Sequence, residues 1–234
     1  MNRIGYLPET LTALAGVAFA LLLLFALASV DPLVEATDQE LIDWWADSGN
    51  QRDMAFSMYF FIGAAGCFLV FLAGLRARLA VAEGGAGALT GLVFAAGVCF
   101  AAVILVGDIG RGAIAHSVRF GDEPIPGPDT LRSLTTFTQL MFGLVAMPLA
   151  GVVVAGASVV ILRSRTMGAW LGWAGLATAA VILIFVVLLI GPWASPFLQL
   201  WTVAASFELW RTRRRTSATV VAETGFQQTP SVPA

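Results

Sequence analysis

Long apolar stretches separated by short polar ones set the rhythm of this chain. Five of them, Leu11 to Val30, Met54 to Leu75, Ala86 to Gly107, Leu134 to Leu162 and Met167 to Ile190, contain no charged residue. Each reaches the roughly 20 residues that a helix rising about 1.5 Å per residue needs to cross hydrocarbon about 30 Å thick. A sixth stretch, Phe197 to Trp210, is shorter and includes Gln199 and Glu208. Begun at Pro196, where a first-turn proline loses no hydrogen bond, and ended at Thr212, it too is long enough to span. The pattern predicts an all-α, polytopic transmembrane bundle of six spans (residues 11–30, 54–75, 86–107, 134–162, 167–190 and 196–212) between an N-terminal segment, 1–10, and a disordered tail, 213–234.

The polar stretch between the first two spans carries its own helical signal. Thr37-Asp38-Gln39-Glu40 has the Thr-x-x-Glu form of a capping box, and Gly49-Asn50 offers a stop. Between them Leu41, Ile42 and Trp45 share one face, with Trp44 beside it, while Asp38, Asp43 and Asp47 turn towards water. This predicts a short interfacial helix that rests on the outer leaflet or caps the bundle, and a lid over a cavity is compatible with either. Small residues recur where helices must meet: Gly16 and Ala20, Gly63 and Cys67, and Gly87, Gly91 and Ala95 at four-residue spacing, a pattern continued by Gly143, Gly151 and Ala155 and by Gly168, Gly172 and Gly175. Such stripes let helices pack closely without a hydrophobic drive, within the chain or across a homodimer.

Composition sharpens the class. The 234 residues are 58% hydrophobic and 12% charged, with a mean hydropathy of +0.84, against about 25% charge in soluble domains. Disorder throughout and nucleic-acid binding are excluded. All 13 basic residues are arginine, so lysine chemistry is absent: no retinal or pyridoxal Schiff base, no P-loop. One histidine, His116, and two separated cysteines, Cys67 and Cys99, rule out a bis-histidine haem and most zinc sites. No cofactor is expected.

Arginine placement orients the bundle. With six spans and both termini in the cytoplasm, Arg3, Arg76, Arg78, Arg163, Arg165, Arg211, Arg213, Arg214 and Arg215 lie inside, and Arg52, Arg111, Arg119 and Arg132 outside, nine against four. Ala26-Leu27-Ala28 resembles a signal-cleavage site, but the apolar run exceeds the usual signal length, and an uncleaved anchor is expected.

Polar groups at membrane depth are costly and therefore mark candidate sites. The densest stretch is Gly107 to Arg119, where three glycines either end the third helix or let it pack tightly. If the helix continues, Asp108, Arg111, Ala115 and Arg119 share a face with His116 adjacent. That cluster is an Asp-Arg pair steadying the helix exit or a site for an anionic headgroup or solute. Gln139 in the fourth span and Gln199 in the last are the intramembrane polar candidates, with Pro148 expected to free a carbonyl one turn before it. Glu208, three residues before Arg211, is placed for an ion pair.

Asp43-Trp44-Trp45-Ala46-Asp47, Gly74-Leu75-Arg76-Ala77-Arg78-Leu79, Glu83-Gly84-Gly85 and Leu171-Gly172-Trp173, in that order, resemble a group of uncharacterised polytopic integral membrane proteins of high-GC actinobacteria. The resemblance implies a helical membrane architecture and carries no activity, ligand or catalytic residue. With neither His-Glu-x-x-His nor Gly-x-Ser-x-Gly present, the expected function is a non-catalytic component of the cell membrane that binds lipid or a partner membrane protein. A small-solute permease is the alternative and an intramembrane enzyme the third.

Overall fold

A computed structural model describes residues 9–28, 36–84 and 87–226, with side chains to Arg211. The expectations for Arg3 and for the end of the tail lie outside the described residues. The elements are α1 (Glu9–Leu27), α2 (Asp38–Ala46), α3 (Ser48–Glu83), α4 (Ala88–Phe120), α5 (Pro128–Leu140), a π-helical turn (Met141–Ala146), α6 (Met147–Ser164), α7 (Ala169–Val187), a 3-10 turn (Gly191–Ala194) and α8 (Ser195–Phe226). The described residues form an all-α bundle. Five helical units are long and apolar enough to cross a membrane: α1, α3, α4, α5 through α6, and α7.

Neighbouring contacts run from α1 to α3, α4, α6, α7 and α8 and back to α1, so the long helices close a ring, across which α3 also touches α6. Its centre is dry and aromatic. Phe19 of α1, Phe68 of α3 and Phe100 of α4 are fully buried, with Phe68 centred 4.9 Å from both other rings in tilted and edge-on geometry. Close helix approach comes from some of the expected glycines and some others. A methyl at Gly16 would collide with Ser206 and Phe71, and one at Gly172 would lie 2.5 Å from Leu162 Cγ. Gly91, by contrast, faces open space, and it is Gly97 that presses on Leu72. Cys67 is half-buried and Cys99 exposed.

Several helices outrun their apolar cores, because polar residues complete the ends. Asp47, rather than the Gly49-Asn50 stop, separates α2 from α3: its carboxylate accepts the backbone N–H groups of Gly49 (2.8 Å) and Asn50 (3.0 Å), so α3 starts one residue after α2 is capped. Glu83 closes α3 onto α4 by accepting from the backbone N–H groups of Leu89 and Thr90 and from the Thr90 hydroxyl. Pro128 stands in the first turn of α5. α8 continues to Phe226, into the stretch expected to be an irregular tail. No glycine or proline interrupts residues 197–224, so nothing in the chain's chemistry stops the helix earlier.

α2 caps the end of the bundle. The capping box is complete, with Thr37 and Glu40 bonded reciprocally. Hydrogen bonds to Glu40 from the Thr37 backbone N–H, and then from its hydroxyl, hold this carboxyl below its ordinary value. Leu41 and Trp45 turn inward onto Met54, Ala55, Ala115 and Leu131. Arg132 ties the far side by donating to the Ala36 carbonyl and the Asp38 carboxylate, both at 2.9 Å.

Candidate functional site: a cavity at the Asp108–Arg111 ion pair

α4 continues through its glycines instead of ending at them. A Cβ on Gly112 would meet Met58 Cβ at 2.6 Å, one on Gly107 would meet Met141 Cβ at 3.0 Å, and one on Gly110 would meet Leu134 at 3.2 Å. The missing side chains thus let α3 and α5 close on α4 from both sides, and that closure dehydrates what lies between. Asp108 and Arg111 are one helical turn apart and pair at 2.9 Å, with side chains only 3% and 6% exposed. An ion pair this dry is not a surface anchor; removing water from both charges is costly, and their mutual attraction offsets part of that cost.

The neighbouring helix supplies the second polar element. Thr138 of α5 donates its hydroxyl to the Gly107 carbonyl at 2.7 Å, a buried bond between helices. Immediately after it the helix widens: Met141–Ala146 is π-helical, and the Met147 N–H reaches back five residues to Phe142. Pro148 lacks the N–H that would bind the Leu144 carbonyl, so the expected local disturbance takes the form of a wider turn. The 3-10 turn presses into this widening. A methyl on Gly191 would collide with the Gly143 carbonyl, and one on Gly143 would lie 2.8 Å from Pro192 Cδ.

Where these parts meet there is a cavity of about 70 Å³ lined by Leu27, Phe61, Ile104, Gly107, Asp108, Arg111, Thr138, Gln139, Phe142 and Pro192. It has room for a small polar group of a few heavy atoms. Its floor carries the ion pair, its walls are aromatic and aliphatic, and the exposed amide of Gln139 stands at its edge. Gln139 makes no hydrogen bond with the described residues.

The structure therefore brings Asp108, Arg111 and Gln139 together and separates the other expected site residues from them. His116 is exposed on another face, its ring 5.0 Å from Phe120, beside a groove lined by Ala55, Phe56 and Tyr59. Arg119 shares the face of Asp108 but sits exposed one residue before the helix ends, over Phe120. Gln199 is buried in α8 and lines none of this cavity. Phe61, Phe142 and Pro192 were not identifiable from sequence, being chemically identical to dozens of other apolar positions. No three His, Cys, Asp or Glu side chains converge among the described residues. Comparison of the chain with protein-family models, with curated proteins and with solved structures gave no significant match.

Proposed function

We propose that this is a cell-membrane protein of six spans, α8 supplying the sixth, with both termini in the cytoplasm, and that it acts as a non-catalytic component that binds a lipid at the Asp108–Arg111 cavity. The observation that carries this reading is the lining: a buried ion pair and the exposed Gln139 amide beside Leu27, Phe61, Ile104 and Phe142. Polar groups of that kind fix the head or ester region of an amphiphile while the apolar wall receives the start of a chain. α2 covers the same end of the bundle, packed over Ala115 of α4, and its half-buried Trp44 suits the headgroup level.

The centre of the bundle speaks against a solute path. Between this cavity and the opposite end the ring is filled by Phe19, Phe68 and Phe100. The buried hydroxyls of Ser158, Thr202 and Ser206 are spent on carbonyls of their own helices, so they form no ladder of free donors. The test is mass spectrometry of the chain purified in native lipid particles. One lipid class held at stoichiometric level, and lost in Gln139→Leu, supports lipid binding. Absence of any retained lipid together with solute uptake by proteoliposomes overturns it in favour of the permease; a stoichiometric protein instead of a lipid overturns it in favour of a partner-binding role.

A further inference from the structure

The opposite end of the ring holds two adjoining cavities that the Asp108 site does not touch. One, about 330 Å³, is lined by Glu9, Thr12, Gly74, Arg78, Thr166 and Leu209 among others. The second, about 340 Å³, is lined by Arg165, Thr166, Gly168, Trp170, Glu208 and Arg211 among others. Thr166 belongs to both, so the two form one basin around the turn that joins α6 to α7.

Its charges nearly cancel, and the remainder is informative. Glu9 is held by Arg78 at 2.7 Å. Glu208, almost fully buried, accepts the Trp170 indole N–H at 2.9 Å and lies 3.5 Å from Arg211. Three guanidinium groups (Arg78, Arg165, Arg211) against two carboxylates (Glu9, Glu208) leave one positive charge among the lining residues. Thr12, buried on the same wall, has a hydroxyl with no hydrogen-bond partner. Trp170 and Val81, both well exposed, give the basin an apolar rim, and tryptophan at a helix end is characteristic of the headgroup layer. Arg165 itself occupies a left-handed backbone position, φ 51°, which closes α6 and which glycine would occupy without strain.

We propose that this basin binds the singly charged phosphodiester of an anionic phospholipid headgroup, with Arg165 and Arg211 as its cationic contacts. One negative charge with no ammonium attached balances the surplus, whereas a zwitterionic headgroup brings back the charge it removes. The site is independent of the Asp108 cavity and does not rest on that reading.

The test uses the full chain in phosphatidylcholine nanodiscs with a minor fraction of phosphatidylglycerol, and reads the ratio of the two lipids retained after mild detergent washing. The parent is expected to enrich phosphatidylglycerol, and high salt to reduce the enrichment. Each of Arg165→Gln and Arg211→Gln should lower it about fivefold, the factor that one arginine near an anionic surface contributes. Arg165→Gly separates binding from folding: it relieves the left-handed backbone, so thermal stability should be at least that of the parent while the enrichment falls by the same factor. Gln139→Leu should leave it unchanged. Equal retention of the two lipids by the parent, or unchanged enrichment in Arg165→Gly, overturns the proposal. So does displacement of phosphatidylglycerol by inorganic phosphate, which would identify a soluble-anion site.

Discussion

Arg111 and Asp108 stand in one of the driest polar environments of the described chain, and each determines what the other costs. Replacing Arg111 by Ala takes away the guanidinium 2.9 Å from a carboxylate that is 3% exposed. Loss of one partner of a buried pair typically costs about 3 kcal/mol. Thermal unfolding in detergent should show a drop of that size, and the Asp108→Asn, Arg111→Ala double variant should recover much of it, because the charge that needed compensation has gone. Strictly additive losses would show that the two residues do not act as a unit. Thr138→Val is expected to cost about 1 kcal/mol by the same assay, since its hydroxyl makes the α5 to α4 bond to Gly107. At this scale the sequence was informative about charge and silent about shape. Helical spacing paired Asp108 with Arg111, but it also grouped Arg119, which shares the face yet lies past the point where another helix covers it.

Among the elements, α2 was legible in its start and its faces, though it ends at Ala46 under the Asp47 cap and not at Gly49-Asn50. Its capping box, its inward Leu41 and Trp45 and its outward acids all appear as the sequence pattern requires, because each depends on neighbours within one or two turns. The π turn was not legible: Pro148 marks a missing N–H, but the form the helix takes around it depends on the 3-10 turn wedged against Gly143. Gly191→Ala tests that wedge. Its methyl would meet the Gly143 backbone rather than a movable side chain, so a loss of about 2 kcal/mol is expected from overpacking.

The cap of α2 also has a pH dependence whose sign follows from Glu40. Hydrogen bonds from Thr37 hold its folded carboxyl below the ordinary value. The stabilisation it gives α2 is therefore fully present above the unfolded carboxyl's range and is lost as pH falls through the lower, folded value. Hydrogen exchange of the α2 amides should accelerate relative to α3 as the solution is acidified through that window, and Glu40→Gln should remove the dependence. Equal acceleration in both proteins would place the effect elsewhere.

For the whole molecule, five of the six apolar stretches became helices long and apolar enough to cross a bilayer, since such a helix needs only length and hydropathy to be recognised, while the shorter sixth, interrupted by Gln199 and Glu208, is not among them. Which helices touch was not recoverable, and neither was a cavity made from six elements spread between Leu27 and Pro192. Orientation is a separate question from fold and is tested separately. Cysteine placed at Ser48 should react with an impermeant maleimide in intact cells, and cysteine at Ser164 only after permeabilisation; the reverse pattern would invert the proposed topology. Lipid binding at the Asp108–Arg111 cavity is addressed most directly by a phospholipid carrying a photoactivatable group next to its glycerol backbone. After irradiation of the reconstituted chain, adducts are expected to concentrate on peptides containing Phe61, Gln139 and Phe142 and to fall away in Gln139→Leu. Adducts spread evenly over the exposed side of α7, at Leu183, Ile184 and Val187, and unchanged by that substitution, would mean that the protein meets lipid only as solvent.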